Sequence, residues 1–162
     1  MKLESLRDLL IEQLRDLYDA EHQLTKALPK MAKAAASPEL KAAFQKHLAE
    51  TKGQIERLDQ VFEVLGEKAR KKACKAMQGL IAEGEETIKE NAEPDVRDAA
   101  LIAAAQRVEH YEMAGYGTVI AYAKLLKEEA VAKLLKATLS EEQATDEALT
   151  VLAESTINVE AA

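Results

Sequence analysis

Apolar residues recur at alternating gaps of three and four along the first stretch of the chain: Leu3, Leu6, Leu10, Leu14, Leu17, Leu24, Leu28 and Met31. This spacing aligns them on one face of a helix running from about Leu3 to Ala35. Ser37-Pro38 ends it and opens the next helix, with Ser at the N-cap and Pro in the first turn. The second helix, striped by Leu40, Phe44 (or Ala43), Leu58, Val61 and Leu65, stops at Gly66. A connector over about 67–94 carries a shorter amphipathic stretch, with Ala73, Met77, Leu80, Ile81 and Ile88 on its apolar side, and Pro94 closes it. A third long helix is expected from about Asp95 to Leu126 and a fourth from about Glu129 to Ser155. The break between them, Lys127-Glu128-Glu129, contains no Gly or Pro.

Loop lengths set the topology. Tight turns make helices one and two antiparallel neighbours, and likewise three and four. The connector is long enough to travel the length of the bundle, which makes helices two and three parallel. The expected fold is therefore all-α, a single domain over 1–162: a ferritin-like four-helix bundle with a long crossover that holds an extra short helix.

The apolar stripes break at one height in all four helices. In helix one the gap is filled by Glu21; in helix two by His47, Glu50 and Gln54; in helix three by Glu109 and Glu112; in helix four by Glu142 and Asp146. Glu21 lies 16 residues before Ser37 and Glu50 lies 13 after it, so at about 1.5 Å per residue they differ by roughly one turn. Glu112 precedes Lys127 by 15 residues and Glu142 follows Glu128 by 14. A lone acid on such a stripe is ordinarily an edge residue. Four helices failing together place five or six carboxylates in one layer, where they cannot all ionise without a counterion. Two divalent metals supply it. A short internal repeat agrees: Glu21-His22 matches Glu109-His110 at an offset of 88, and Glu50-x-x-x-Gln54 matches Glu142-x-x-x-Asp146 at an offset of 92.

Composition removes several alternatives. Only 4% of residues are aromatic and there is no Trp, against the needs of a β-sandwich or barrel. A net charge of −7 argues against nucleic acid as the main partner. The one basic cluster, Lys68, Arg70, Lys71, Lys72 and Lys75, reads as a solvated helix start. No apolar run reaches membrane-spanning length, and the opening Met1-Lys2-Leu3-Glu4 is charged at once, so neither membrane nor signal segment is expected. A single cysteine, Cys74, suits a reducing compartment, and the expected location is cytoplasmic.

The stretches Leu17-Tyr-Asp-Ala-Glu-His-Gln-Leu24, His47-Leu-Ala-Glu-Thr-Lys-Gly-Gln-Ile-Glu-Arg-Leu58, Val108-Glu-His-Tyr-Glu-Met-Ala-Gly-Tyr-Gly117 and Glu141-Glu-Gln-Ala-Thr-Asp146, in this order, resemble the YciE/YciF type of ferritin-like stress protein. The resemblance implies a four-helix bundle with a crossover helix, a dinuclear metal site between the helices, a homodimer, and a role in bacterial stress. The chain departs from the wider ferritin-like pattern, which places a His three residues after the second- and fourth-helix Glu. Here those positions hold Gly53 and Thr145, so Gln54 and Asp146 would take over, or His47 reaches in. More carboxylate and less imidazole favours harder ions, so of the two metals expected, Fe or Mn, Mn or a mixed site competes with Fe, which departs from oxygen activation of the usual di-iron kind.

The expected metal ligands are thus Glu21, Glu50, Glu109, Glu112, Glu142, Asp146, His47 and Gln54. Three functions fit them: reaction with peroxide or oxygen, metal binding without turnover, or a dimeric scaffold. His22 and His110 read as seam residues, and Tyr18 and Tyr116 as packing residues able to bond ligands. Gly115 and Gly117 read as points of close helix approach, Met31, Met77 and Met113 as core filling, and Cys74 as inert.

Overall fold

The computed structural model describes residues 3–162; Met1 and Lys2, part of the charged opening, lie outside the described residues. Among the described residues there are four long helices, a shorter one in the crossover and no strand: α1 (Leu6–Ala34), α2 (Pro38–Val64), the shorter α3 (Lys75–Lys89), α4 (Pro94–Leu125) and α5 (Glu129–Leu152). A π-turn over Ala153–Ile157 and one helical turn, Asn158–Glu160, complete the chain.

The helix starts follow local chemistry. Ser5 caps α1 by accepting from the Asp8 amide at 3.1 Å, which places Leu3 outside the helix and half exposed. Ser37 caps α2 through the Leu40 amide at 3.3 Å, with Pro38 in the first turn as expected. Buried Asp98 of α4 accepts from the Ala36 and Ser37 amides at 2.9 and 2.6 Å and ties down the α1–α2 turn. Pro94 opens α4.

The ends of α2 and α4 use the same closure. Gly66, at φ +69°, lets the Glu67 amide reach back to Phe62 O at 2.9 Å. Lys127 takes the same left-handed position at φ 62°, with the Glu128 amide on Ala123 O at 2.9 Å. A non-glycine residue there costs about 1–2 kcal/mol, and because Lys127 bears that cost the break carries no glycine signal.

Contacts across the bundle establish direction. The α1 end meets the α4 start through Asp98, while Arg7 near the α1 start pairs with Glu128 beyond the α4 end at 3.1 Å. These two helices are antiparallel. The α2–α5 contacts Glu50–Thr145, Gln54–Glu141 and Arg57–Thr138 also run antiparallel. Hence α2 and α4 are parallel, as the long connector requires.

The connector opens as an extended strap, not as a helix start. Lys68, Arg70, Lys71 and Lys72 lie on this strap, and only Lys75 enters α3. The strap is held along α1: Lys72 N donates to Arg15 O at 3.1 Å, Lys72 Nζ pairs with Glu12 at 2.9 Å, and Cys74 N donates to Asp19 Oδ2 at 2.8 Å. Cys74 caps α3 with its sulfur and is fully buried, with Tyr111 Oη 3.0 Å away.

Two apolar clusters fill the bundle. Leu24, Leu28, Phe44, Leu101 and Leu149 belong to one; Leu10, Leu14, Leu58, Val61 and Leu135 belong to the other. The polar residues buried at mid-height include Glu21, His47, Gln54, Glu109, Glu112 and Glu142.

Gly115 marks a close approach: a Cβ there would lie 2.7 Å from Leu17 Cδ2. Gly117 does not, since its Cβ would meet nothing within 4 Å. Gly115→Ala is expected to cost about 1–3 kcal/mol, because buried Leu17 must shift. Gly117→Ala should gain about 0.5–1 kcal/mol from helix propensity. Urea unfolding of both variants checks the pair, and equal effects would refute the packing argument.

Candidate metal centre

The stripes converge as the heights require. His47 of α2, Glu109 and Glu112 of α4, and Glu142 of α5 each offer one ligand atom, and these atoms lie within 4.8 Å of one another. Donors on opposite sides of a single ion, each at about 2.0–2.4 Å, are separated by about that distance. All four residues are at most 3% exposed.

The cluster is short of hydrogen bonds. Both oxygens of Glu112, Oε2 of Glu21 and both ring nitrogens of His47 are buried without a hydrogen-bond partner, while Glu109 and Glu142 meet each other only by sharing a proton. His47 Nε2 lies 3.1 Å from Glu109 Oε1, a close contact between the two helices. Buried polar atoms are normally satisfied, so this many in one place requires a further partner. The donor set, carboxylate oxygens with one imidazole, is that of a cation site, and this buried cluster can hold a metal ion.

Burial and repulsion raise the carboxyl groups. Glu21 is pushed up to about 8, first by burial and then by Glu142, with the Tyr116 hydrogen bond pulling the other way. Glu109 is also pushed up to about 8, chiefly by burial. Burial and the adjoining Glu109 carry Glu142 to about 9. Glu112 stands well above the usual carboxyl range through burial and through Glu21, Glu142 and Glu109. These acids hold protons that a cation would displace.

The other expected ligands are placed differently. Glu21 is fully buried beside the four, and Tyr116 Oη donates to its Oε1 at 2.5 Å. Gln54 is fully buried with Oε1 unpartnered. Glu50 and Asp146 are not brought into the four-residue group. Glu50 is partly exposed and pairs with Lys46 at 3.2 Å, while Thr145 Oγ1 donates to it at 3.4 Å. Asp146 meets His110 at 3.3 Å and accepts from Gln106 Nε2 at 3.2 Å. Both still contribute negative potential at Glu109. They sit at its rim because Glu50 and Asp146 occupy the edges of wide helical stripes.

Other residues sort clearly. Tyr18 donates to Asp59 at 2.8 Å and packs edge-on against His22, whose Nδ1 meets Tyr18 O at 2.7 Å. Tyr18 therefore bonds none of the candidate ligands, whereas Tyr116 does. Arg57 and Glu141, which border Gln54, escaped the sequence reading because their stripe positions are solvent-side ones. The i,i+3 spacing of Gln54 and Arg57 was the available signal.

Comparison with known proteins adds context. Among curated proteins, the chain is 51% identical over 162 residues to protein YciF of Escherichia coli strain K12, covering 99% of this chain and 98% of that one. The crystal structure of that E. coli stress protein matches with a TM-score of 0.92 over 96% of this chain and 98% of the other. YcfI of Rhodopseudomonas palustris, 48% identical, matches with a TM-score of 0.90 over 92% and 95% of the two chains. A Xanthomonas campestris protein, 21% identical, shares the fold at a TM-score of 0.77 over 96% and 95%. No helix among the described residues is long and apolar enough to cross a membrane. Residues 5–162 match the family described as a domain of unknown function, DUF892, and the chain belongs to that family.

Proposed function

We propose that this chain is a stress-associated protein that binds two metal ions, Fe or Mn, in the mid-bundle layer and brings them into reaction with peroxide or oxygen. The observation that carries the metal reading is the set of partnerless buried atoms on Glu112, Glu21 and His47, packed against the acid pair Glu109 and Glu142. The stress association rests on similarity to the E. coli stress protein YciF. His47, Glu109, Glu112 and Glu142 would form the heart of the centre, Glu21 and Gln54 its flank, and Glu50 and Asp146 its outer rim. The metals would bind and polarise the oxidant. The chain's own part is to hold the ligands in a dry layer and to keep protons at hand. Tyr116 Oη donates its own proton to Glu21 Oε1 in a hydrogen bond, and the raised acids hold others. Assembly is proposed to be a cytoplasmic homodimer.

Metal binding without turnover is the second reading. It is favoured by the complete burial of Glu112 and Glu142, which gives an oxidant no direct opening.

Elemental analysis by mass spectrometry of protein purified without chelator or added metal tests the site. About two Fe or Mn per chain are expected. Protein that is empty, and stays empty after reconstitution with either ion, would overturn the ligand assignment. Peroxide consumption by the loaded protein then separates the two readings.

A further inference from the structure

We infer that Arg57 is a positioning residue for this centre: through Glu141 it fixes which end of the Gln54 amide remains free for a cation. The inference rests on the metal-binding reading above and concerns how that site is built.

Arg57 of α2 reaches across to α5. Its Nη1 donates to Thr138 Oγ1 at 2.6 Å and to Glu141 Oε2 at 3.0 Å, and its Nη2 donates to Glu141 Oε1 at 2.9 Å. Such a two-pronged pair fixes the plane of the carboxylate as well as its position. Gln54 Nε2, three residues earlier on α2, donates to the same Glu141 Oε2 at 3.1 Å. An ionised carboxylate only accepts, so the end of Gln54 that faces it must be the NH2 group. The side-chain carbonyl, Oε1, is thereby left over. It is buried without a hydrogen-bond partner, on a residue with no exposed surface whose NH2 group also turns toward Glu142.

The arrangement is asymmetric. Glu141 and Arg57 keep side-chain exposures of 31% and 21%, so the clamp sits at the edge of the layer and offers no ligand itself. What it supplies is orientation. If the amide rotated by half a turn, two N–H donors would take the place of the free oxygen, and a cation would be repelled. A neutral oxygen at this place also adds no charge to a layer already crowded with acids, and it suits hard ions better than an imidazole would.

The first test needs no metal. In 15N-labelled metal-free protein, the Gln54 side-chain amide protons should exchange slowly. Glu141→Gln and Arg57→Met should each speed that exchange and move the resonance. Calorimetric titration with Mn(II) is the second. Both variants should weaken binding about 10–100-fold, as loss of a group that supports a ligand does, while the unfolding midpoint of the metal-free protein moves little. Arg57→Lys keeps the charge without the fork and should recover only part of the loss. In a Gln54→Ala background, Glu141→Gln should cost no further affinity, an outcome a merely structural role would not produce.

Wild-type affinity in Glu141→Gln overturns the inference, as does wild-type affinity in Gln54→Ala while Glu112→Gln abolishes binding. In both cases the metal reading survives. Failure of the wild-type protein to bind Mn(II) or Fe(II) overturns the metal reading and the inference with it.

Discussion

Glu142→Gln is expected to abolish metal binding and, at the same time, to stabilise the metal-free protein. The opposite signs follow from one cause. Glu142 is fully buried against Glu109 and its carboxyl is pushed up to about 9, so at pH 7.5 the folded chain must hold a proton that the unfolded chain releases. Each unit between the ordinary carboxyl value and the ambient pH costs about 1.4 kcal/mol. Gln retains the shape and a neutral head, and it carries no such cost. Because the acids share protons, the net gain should be smaller than the full sum, about 1–3 kcal/mol, or a rise of several degrees in Tm. The lost ligand should cut Mn(II) or Fe(II) affinity by more than the ~10–100-fold typical of losing a supporting group. Scanning calorimetry on chelator-treated protein and a metal titration read the two effects. A metal-free variant less stable than wild type would mean that Glu142 is an ordinary structural residue.

The second large effect is a stability that falls as pH rises. Glu21, Glu109 and Glu142 have folded-state values raised from about 4.5 to about 8, 8 and 9. Between those limits the folded state binds more protons than the unfolded state. Their contribution is therefore fully present below about pH 4.5 and is lost progressively as the pH climbs to about 9, with a slope of up to about 1.4 kcal/mol per pH unit for each proton. Metal reverses the sign, because binding displaces those protons and strengthens as they become easier to remove. Denaturant midpoints of metal-free protein should decline from pH 6 to pH 9, while the stabilisation conferred by Mn(II) grows over the same range. A metal-free midpoint that rises across that window would show that the acids are not desolvated as the fold implies.

Both predictions depend on acids that stand out in the chain itself. Glu21 interrupts a run of leucines with regular gaps, and Glu112 and Glu142 fall at matching distances from a turn, so their meeting was legible by counting residues. Glu50 and Asp146 were legible as acids on the same stripes but not as rim residues. A helical stripe is wide, and which of its edges faces the centre depends on how each helix is rotated about its axis. Successive residues are about 100° apart around a helix, so a modest rotation decides whether an acid points into the cluster or, like Glu50 and Asp146, stands at its margin within reach of Lys46 or His110.

The basic segment shows a different limit. Lys68, Arg70, Lys71 and Lys72 have the composition of a solvated helix start, yet they lie on an extended strap because Lys72 and Cys74 find partners on α1. Those partners are far away in sequence, so no local propensity announces them.

The sequence by itself determined the four long helices, the crossover with its short helix, the parallel course of α2 and α4, and the mid-height layer of acids. It could do so because periodicity, caps and loop lengths are local or countable quantities. Only the tertiary structure decided which acids share one point, that Tyr116 holds Glu21, that Lys127 closes the second turn without glycine, and that Arg57 and Glu141 orient Gln54. Each of these depends on helix rotation and side-chain rotamers chosen by packing across the bundle, which no spacing along the chain records.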